Sequence, residues 1–131
     1  MVVQTDSASI VADGYPNKVN YAIFFLSGTL TVQGGIYIGG WSYTPSVTLV
    51  DGVWSHIAFT YNGSIEALYV NGILVGTTAY TLTPSSGGLS LNIGKRWDLA
   101  NYFKGLIDDV RIYSSASTPS DIQAMYTAGG Q

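Results

Sequence analysis

The sequence predicts an antiparallel β-sandwich that ends in one short helix. Two Asn-Gly pairs, Asn62-Gly63 and Asn71-Gly72, separate three short runs that are rich in β-branched and aromatic residues. Asn-Gly favours the type I′ turn, whose twist matches the twist of the strands that it joins. The pattern therefore predicts a three-stranded meander between Trp54 and Thr78. Composition and a C-terminal helix signal complete this prediction.

The composition favours many short strands with a neutral polar surface. Charged residues are 10% of the 131 residues, against about 25% in an average globular protein. Gly, Ser, Thr and Tyr take their place, which suits tight turns and argues against a helical bundle. A chain of this length is expected to form a single domain, residues 1–131, with a core of its own.

Charge and hydropathy argue against several functions. The net charge is −3, and the few Lys and Arg residues offer no cationic surface for the phosphates of a nucleic acid. No apolar run reaches the roughly 18 residues of a membrane span. The N-terminus shows no signal-peptide pattern, and the chain contains no cysteine.

Within the first strand of the meander, alternation predicts which face is buried. Ile57, Phe59 and Tyr61 share one apolar face, and the residues between them share the other. A sheet with one apolar face must bury it against a second layer. The rest of the chain is expected to supply that layer.

Further strands are predicted before and after the meander. They cover Val19 to Leu26, Thr29 to Val32 with a continuation to Ile38, Ser46 to Val50, Leu89 to Ile93, and Lys104 to Tyr113. Gly39 to Pro45 is predicted to be a loop. In the last strand, Asp108 is expected to point towards the core, because it shares a face with Val110 and Ile112.

The end of the chain carries a helix signal. Thr118 can cap the helix, Pro119 suits its first position, and Asp121 completes a pattern close to a capping box. One apolar stripe at helical spacing follows, formed by Ile122, Met125 and Tyr126. Gly129-Gly130 is expected to end the helix.

Five segments of the C-terminal two-thirds follow one another in an order that resembles a known family. They are Asp51 to Gly63, Leu68 to Gly72, Leu91 to Gly94, Phe103 to Tyr113 and Ser117 to Tyr126. This series resembles the laminin G-like domains of the concanavalin A-like lectin/glucanase superfamily. The resemblance implies a jelly-roll sandwich that binds glycans or other proteins, with calcium in many members.

The N-terminal part departs from this family pattern. The resemblance begins near Ser9 to Asp13, and the family's first strands have no clear counterpart. We therefore expect an N-terminally truncated domain, either a fragment or a variant that lost these strands. Its unpaired edge and uncovered apolar face are expected to make it a homo-oligomer, with a strand of a neighbour replacing the missing one.

Aromatic residues in predicted loops form the candidate carbohydrate site. Aromatic rings stack on the C–H faces of sugars, while polar side chains bind the hydroxyl groups. The best cluster is Trp97 with Arg96, Asp98, Asn101 and Tyr102, and the second is Trp41 with Tyr43. The alternative is that these rings cover the ends of the sandwich or a subunit interface.

Asp108 and Asp109 are the candidate metal ligands. A buried carboxylate must be paired, hydrogen-bonded or bound to a metal, and Asp108 is expected to be buried. The resemblance implies Ca²⁺, which takes oxygen ligands from carboxylates and carbonyls. The alternative is that Asp108 accepts hydrogen bonds at the rim of the sheet.

The residue types needed for catalysis are scarce. His56 is the only histidine, and it is predicted to be a sheet residue rather than part of a Ser-His-Asp triad. Glycoside hydrolysis needs two carboxyl groups that flank a sugar, but Glu66 is the only glutamate. The Glu-x-Asp-x-Glu strand of the family's glucanase branch is absent.

The sequence therefore predicts a non-enzymatic, lectin-like module that binds carbohydrate. The alternative is a structural or protein-interaction module of an extracellular or particle-surface protein. A degenerate glycoside hydrolase is a more distant alternative. The resemblance implies an extracellular or surface-associated location.

Overall fold

Two antiparallel sheets and one C-terminal helix form the molecule and confirm the predicted sandwich. The structure, a computed structural model, describes residues 9–13, 21–26, 28–37, 40–81, 91–95 and 102–129. Within these ranges the elements are β1 (Ser9–Asp13), β2 (Tyr21–Phe25), β3 (Thr31–Tyr37), β4 (Trp41–Tyr43), β5 (Val47–Thr48), β6 (Ile57–Tyr61), β7 (Ile65–Val70), β8 (Ile73–Ala79), β9 (Leu91–Ile93) and α1 (Pro119–Gly129).

Sheet A contains six strands, in the order β4-β3-β2-β1-β9, with β5 also paired to β3. β4 and β5 therefore share one edge of β3, where β4 pairs with residues 35–37 and β5 with residues 31 and 32. Sheet B contains the predicted meander, in the order β6-β7-β8. The central strand of sheet B is thus β7.

The two Asn-Gly pairs of the meander form different turns. Asn71 and Gly72 both have positive φ, 51° and 77°, as a type I′ turn requires. At the other turn only Gly63 has positive φ, and three residues separate β6 from β7. There the Asn62 Oδ1 accepts hydrogen bonds from the backbone N–H of Ser64 and Ile65, both at 2.9 Å.

The core lies between the sheets and is centred on Phe25, Val32 and Leu68, which are fully buried. Ile57 packs against this cluster, and the ring of Phe59 lies against the backbone of Gly34 in sheet A. The predicted inward face of β6 is therefore confirmed. The opposite face of sheet B is covered by α1.

The contact of α1 with sheet B confirms the predicted helix. Ile122 is buried against Ala67 and Tyr69 of β7. At the helix start, the Asp121 N–H donates to the Thr118 Oγ1 and the Thr118 N–H donates to the Asp121 Oδ2, both at 3.2 Å. This reciprocal pair is a capping box, which satisfies two backbone donors that the helix itself leaves unpaired.

The segment from residue 104 to residue 113 is not a strand, contrary to the prediction. Asp109 has a φ of 53°, which interrupts the extended backbone and the alternation of side chains. Val110 and Ile112 are exposed as a consequence, and Asp108 is exposed as well. The prediction that Asp108 points towards the core is therefore wrong.

Residues 41–43 form β4 rather than the predicted loop. Their backbone pairs with β3, and the Thr44 N–H continues the pairing by donating to the Gly34 carbonyl at 3.0 Å. The prediction that the family's first strands are missing applies to the chain before Ser9, and residues 1–8 lie outside the described residues. In the part of the chain that is described, no helix has the length and apolarity needed to cross a membrane.

Gly34 provides a test of the contact between the sheets. A Cβ atom at this position would overlap the Phe59 ring, whose Cε2 would be 2.9 Å away. We expect Gly34→Val to lower the free energy of unfolding by about 1–3 kcal/mol through overpacking, measured by urea denaturation.

Gly40 is the matched control for this substitution, because a Cβ there meets no atom within 4 Å. Gly40→Val should stay within about 0.5 kcal/mol of the wild type. Equal stability of the two variants would contradict the described stacking of the sheets.

Candidate functional site

Four aromatic side chains lie together on the outer face of sheet A: Phe24, Tyr37, Trp41 and Tyr43. We call this group the aromatic platform. Trp41 and Tyr43 occupy alternate positions of β4 and so project from the same face. Their ring centroids are 5.5 Å apart, and their planes are within 9° of parallel. The two rings are therefore stacked on one another along the strand.

The other two members of the platform hold these rings from the sides. Phe24 contacts Tyr43 in an edge-to-face arrangement, with ring centroids 5.7 Å apart. Tyr37 contacts Trp41 in the same way at 5.5 Å. Such pairs contribute about 0.5–1.5 kcal/mol each beyond their buried area, so they restrain the ring orientations.

Gly35 of β3 gives the rings the room that they occupy. It pairs with Tyr43 across the strands, and a Cβ there would lie 2.9 Å from the Tyr43 Cδ1 and 3.3 Å from the Trp41 Cε3. Any larger residue would push the rings away from the sheet. A glycine inside a strand often marks a place where another group comes close to the backbone. Here that group is the ring of Tyr43, the residue paired with Gly35 across the strands.

The platform is restrained and still accessible to a ligand. Trp41 and Tyr43 are 37% and 42% exposed. Partial burial raises the pKa of the Tyr43 hydroxyl, which therefore stays protonated at neutral pH. A protonated phenol can both donate and accept a hydrogen bond. The arrangement combines flat apolar surfaces with a neutral polar group.

In the described part of the chain, one carboxyl group is buried beneath the platform. Glu66 is fully buried, and its Oε2 accepts a hydrogen bond from the Ser42 Oγ at 2.5 Å. Its Oε1 is also buried and has no hydrogen-bond partner among the described residues. Burial raises the pKa of this carboxyl group, while the bond from Ser42 partly opposes that effect.

The structure describes three of the predicted sugar-binding residues: Trp41, Tyr43 and Tyr102. Arg96, Trp97, Asp98 and Asn101 lie outside the described residues. Tyr102 is exposed and pairs with Lys95 just after β9. Since β9 and β4 are opposite edges of sheet A, four strand steps of about 4.8 Å separate β9 from the strand that carries Trp41 and Tyr43.

Phe24 and Tyr37 were not predicted as site residues. They lie in strands that the sequence does indicate, but their contact with Trp41 depends on the pairing of β2, β3 and β4. The sequence indicates one part of this arrangement. Tyr37 is two residues after Gly35 in the same strand, so both lie on the same face of the sheet. The register of the strands, which pairs Tyr37 with Trp41, cannot be read from that alternation.

The candidate metal ligands have other partners in the structure. The Asp109 carboxylate accepts two hydrogen bonds from the Arg111 guanidinium, both at 2.9 Å. The Asp108 Oδ1 accepts the Asp109 N–H at 2.8 Å. Within the described ranges, no three His, Asp or Glu side chains come together as a metal site would require.

His56 lacks the surroundings of a catalytic histidine. Its Nδ1 is buried without a hydrogen-bond partner in the described part of the chain, whereas a triad histidine donates from this atom to a carboxylate. Burial lowers the pKa of His56 more than the nearby Asp109 raises it. Its backbone N–H donates to the Asn71 Oδ1 at 2.9 Å, which ties the start of β6 to a turn.

Comparisons with known proteins agree with this architecture. The family model described as the concanavalin A-like lectin/glucanases superfamily, Laminin_G_3, matches residues 2–123. This range includes the residues before Ser9, where the resemblance read from the sequence began. No curated protein matches the chain.

Among solved structures, the chain is similar to an S-layer domain-containing protein from Clostridium thermocellum ATCC 27405. The TM-score is 0.52 and the sequence identity is 22%, with 92% of this chain and 63% of that chain covered. The chain therefore spans less than two thirds of that protein's solved segment. At this level of identity the similarity shows the fold alone.

The buried carboxyl group makes a testable contribution to stability. Because the pKa of Glu66 is raised in the folded state, the folded protein retains a proton that the unfolded chain loses above about pH 4.5. The contribution of Glu66 to the free energy of unfolding should therefore fall as the pH rises above about 4.5, until the carboxyl group also ionises in the folded protein.

Glu66→Gln removes this titration and keeps the size of the side chain. We expect urea denaturation from about pH 4.5 to about pH 8 to show a smaller loss of stability in Glu66→Gln than in the wild type. Identical pH profiles for the two proteins would contradict the burial of the Glu66 carboxyl group.

Proposed function

The chain belongs to the concanavalin A-like lectin/glucanase superfamily, and we propose that it is a non-enzymatic module that binds a neutral polysaccharide. Family and fold fit a binding module. The aromatic platform is the observation that carries the proposal, because its exposed rings are restrained from three sides. Flat, pre-oriented rings suit the C–H faces of sugars and lose little conformational entropy on binding.

The lack of charge on the platform supports a neutral ligand. The strands β2, β3 and β4 contain no Asp, Glu, Lys or Arg. An acidic polysaccharide would need cationic partners, and the net charge of −3 also disfavours its approach. Hydroxyl groups such as that of Tyr43 can instead exchange hydrogen bonds with sugar hydroxyls.

The placement of the carboxyl groups supports a role without catalysis. Glu66 is buried between the sheets, while Asp108 and Asp109 are exposed on the segment after β9. A glycosidase needs two carboxyl groups on either side of one sugar, about 5–10 Å apart. The strands that carry the platform, β2, β3 and β4, contribute no carboxyl group.

The proposed place of action is a cell surface or the extracellular space. One of the solved structures to which the chain is similar is that of an S-layer domain-containing protein. A module that binds polysaccharide would be useful there, where neutral glycans are exposed to the surroundings. This location rests on the neighbour and on the family.

Protein interaction is the second candidate function, and a different surface favours it. A cavity of about 880 Å³ lies between β6, an edge strand of sheet B, and the segment 106–117. Exposed apolar side chains border it, including Trp54, Leu106 and Ile112. Contiguous apolar surface of this kind marks protein interfaces, as the predicted homo-oligomer would require. Light scattering at micromolar concentration separates a monomer from such an oligomer.

Trp41 is the residue whose removal tests the carbohydrate proposal. We expect Trp41→Ala to weaken retention on insoluble neutral polysaccharides by about tenfold or more, because truncating an aromatic anchor costs about 1–2 kcal/mol or more. Affinity electrophoresis and a glycan array identify which polysaccharide is bound. Trp54→Ala is the matched control, since Trp54 is also exposed but lies outside the platform.

Two outcomes would contradict the platform as the binding surface. Trp41→Ala could retain both its fold and its affinity, or Trp97→Ala alone could abolish binding. The second result would move the site to the cluster around Trp97 that the sequence predicts.

Calcium binding by Asp108 and Asp109 is a separate proposal that rests on the family. In the structure the Asp109 carboxylate forms an ion pair with Arg111, so Ca²⁺ would have to displace this guanidinium. Ca²⁺ is therefore expected to raise the melting temperature of the wild type, and to raise that of Arg111→Ala further. The double variant Asp108→Asn/Asp109→Asn should not respond. A wild-type melting temperature that is the same in Ca²⁺ and in EDTA would end this proposal.

A further inference from the structure

Glu66 occupies the core face of the central strand of sheet B. Along β7, Glu66 and Leu68 point between the sheets, whereas Ala67 and Tyr69 pack against α1. Leu68 belongs to the central core, so an apolar side chain would suit this face. A buried carboxyl group with one oxygen unpaired is costly there, because burial removes its hydration without full replacement.

The partner of Glu66 is the middle residue of β4. Ser42 lies between Trp41 and Tyr43, and side chains alternate along a strand. When Ser42 faces inward to donate to Glu66, its two neighbours must face outward. The hydrogen bond therefore supports the orientation that the pairing of β4 with β3 also requires, with the parallel rings on the outer face of sheet A.

Among the described residues, one further hydrogen bond connects β4 to sheet B. It is three residues long and forms an edge of sheet A. The Thr78 Oγ1 of β8 donates to the Tyr43 carbonyl at 2.8 Å, which secures the backbone but not the direction of the side chains. The bond from Ser42 is the side-chain contact that connects β4 to the central strand of sheet B.

We propose that Glu66 is the positioning residue of the aromatic platform: its carboxyl group holds Ser42 inward and thereby keeps Trp41 and Tyr43 in their parallel, outward arrangement. The inference rests on the proposed function, since the platform is the surface proposed to bind polysaccharide. Glu66 touches no ligand in this account. It acts through Ser42.

Ionisation of Glu66 should loosen the platform. Of the titratable groups on the surrounding strands, Tyr61 is paired with Glu66 and shares its face. Tyr43 of β4 and Tyr37 of β3 lie on the outer face of sheet A, and β8 carries no titratable group. The pKa values of Tyr61 and Tyr43 are raised, so both stay protonated below about pH 9. Ionisation strengthens the bond from Ser42, but the cost of burying the charge is the larger effect on this group. The carboxylate therefore lowers its free energy by turning towards water, and Ser42 loses its partner.

The ring arrangement can be measured without a ligand. A Trp54→Phe/Trp97→Phe background leaves Trp41 as the only tryptophan. Near-ultraviolet circular dichroism then reports the coupling of Trp41 with Tyr43, and acrylamide quenching reports the exposure of Trp41. We expect the wild-type dichroism signal to diminish from about pH 5 to about pH 9, while Glu66→Gln, which cannot ionise, keeps its pH 5 signal throughout.

Ser42 variants supply the matched pair. Ser42→Ala removes the hydroxyl and should show the diminished signal at every pH, whereas Ser42→Thr keeps the hydroxyl and should restore the wild-type signal and its pH dependence. Polysaccharide retention should follow the same order, with about a tenfold loss in Ser42→Ala, which corresponds to about 1.4 kcal/mol.

The outcomes separate this inference from the proposed function. If the Trp41 signal follows Glu66 and Ser42 but no polysaccharide binds, the positioning role stands and the proposed function fails. If Ser42→Ala keeps the wild-type signal at all pH values, the positioning role is overturned, whatever the protein binds. Should Glu66→Gln fail to fold, the comparison of Ser42→Ala with Ser42→Thr decides the question alone.

Discussion

The burial of apolar side chains between the two sheets is the interaction on which the rest of the molecule depends. Phe25, Val32 and Leu68 lose all contact with water there, and Phe59 fits against Gly34. This contact brings Glu66 of one sheet under Ser42 of the other. Without this contact between the sheets, Ser42 would have no buried partner, and the two sides of β4 would not differ in their exposure to water. Stability and the candidate site therefore share one origin.

Local signals in the sequence predicted the parts of the fold that local geometry determines. The turn at Asn71-Gly72 needs two residues with positive φ, and the helix start needs only the pair Thr118 and Asp121. The segment 104–113 was predicted wrongly because apolar alternation looks the same whether or not one residue adopts positive φ. β4 was missed because its strand character comes from pairing with β3, not from its own residues.

The same distinction applies to the candidate site. Trp41 and Tyr43 could be recognised as a pair, since they are two residues apart and both aromatic. Phe24 and Tyr37 join them only through the register of three strands, which alternation does not encode. Ser42 and Glu66 are 24 residues apart, and their contact requires the stacking of the sheets. The chemistry of the site was thus visible in the sequence, while its assembly was not.

The most direct measurement of the central claim is titration of the isotope-labelled protein with a neutral oligosaccharide, followed by NMR of the tryptophan side chains. The account predicts that the indole N–H signal of Trp41 shifts and saturates while that of Trp54 stays in place, together with changes in the amides of β3 and β4. Saturable shifts confined to Trp97, or to the cavity beside β6, would contradict it.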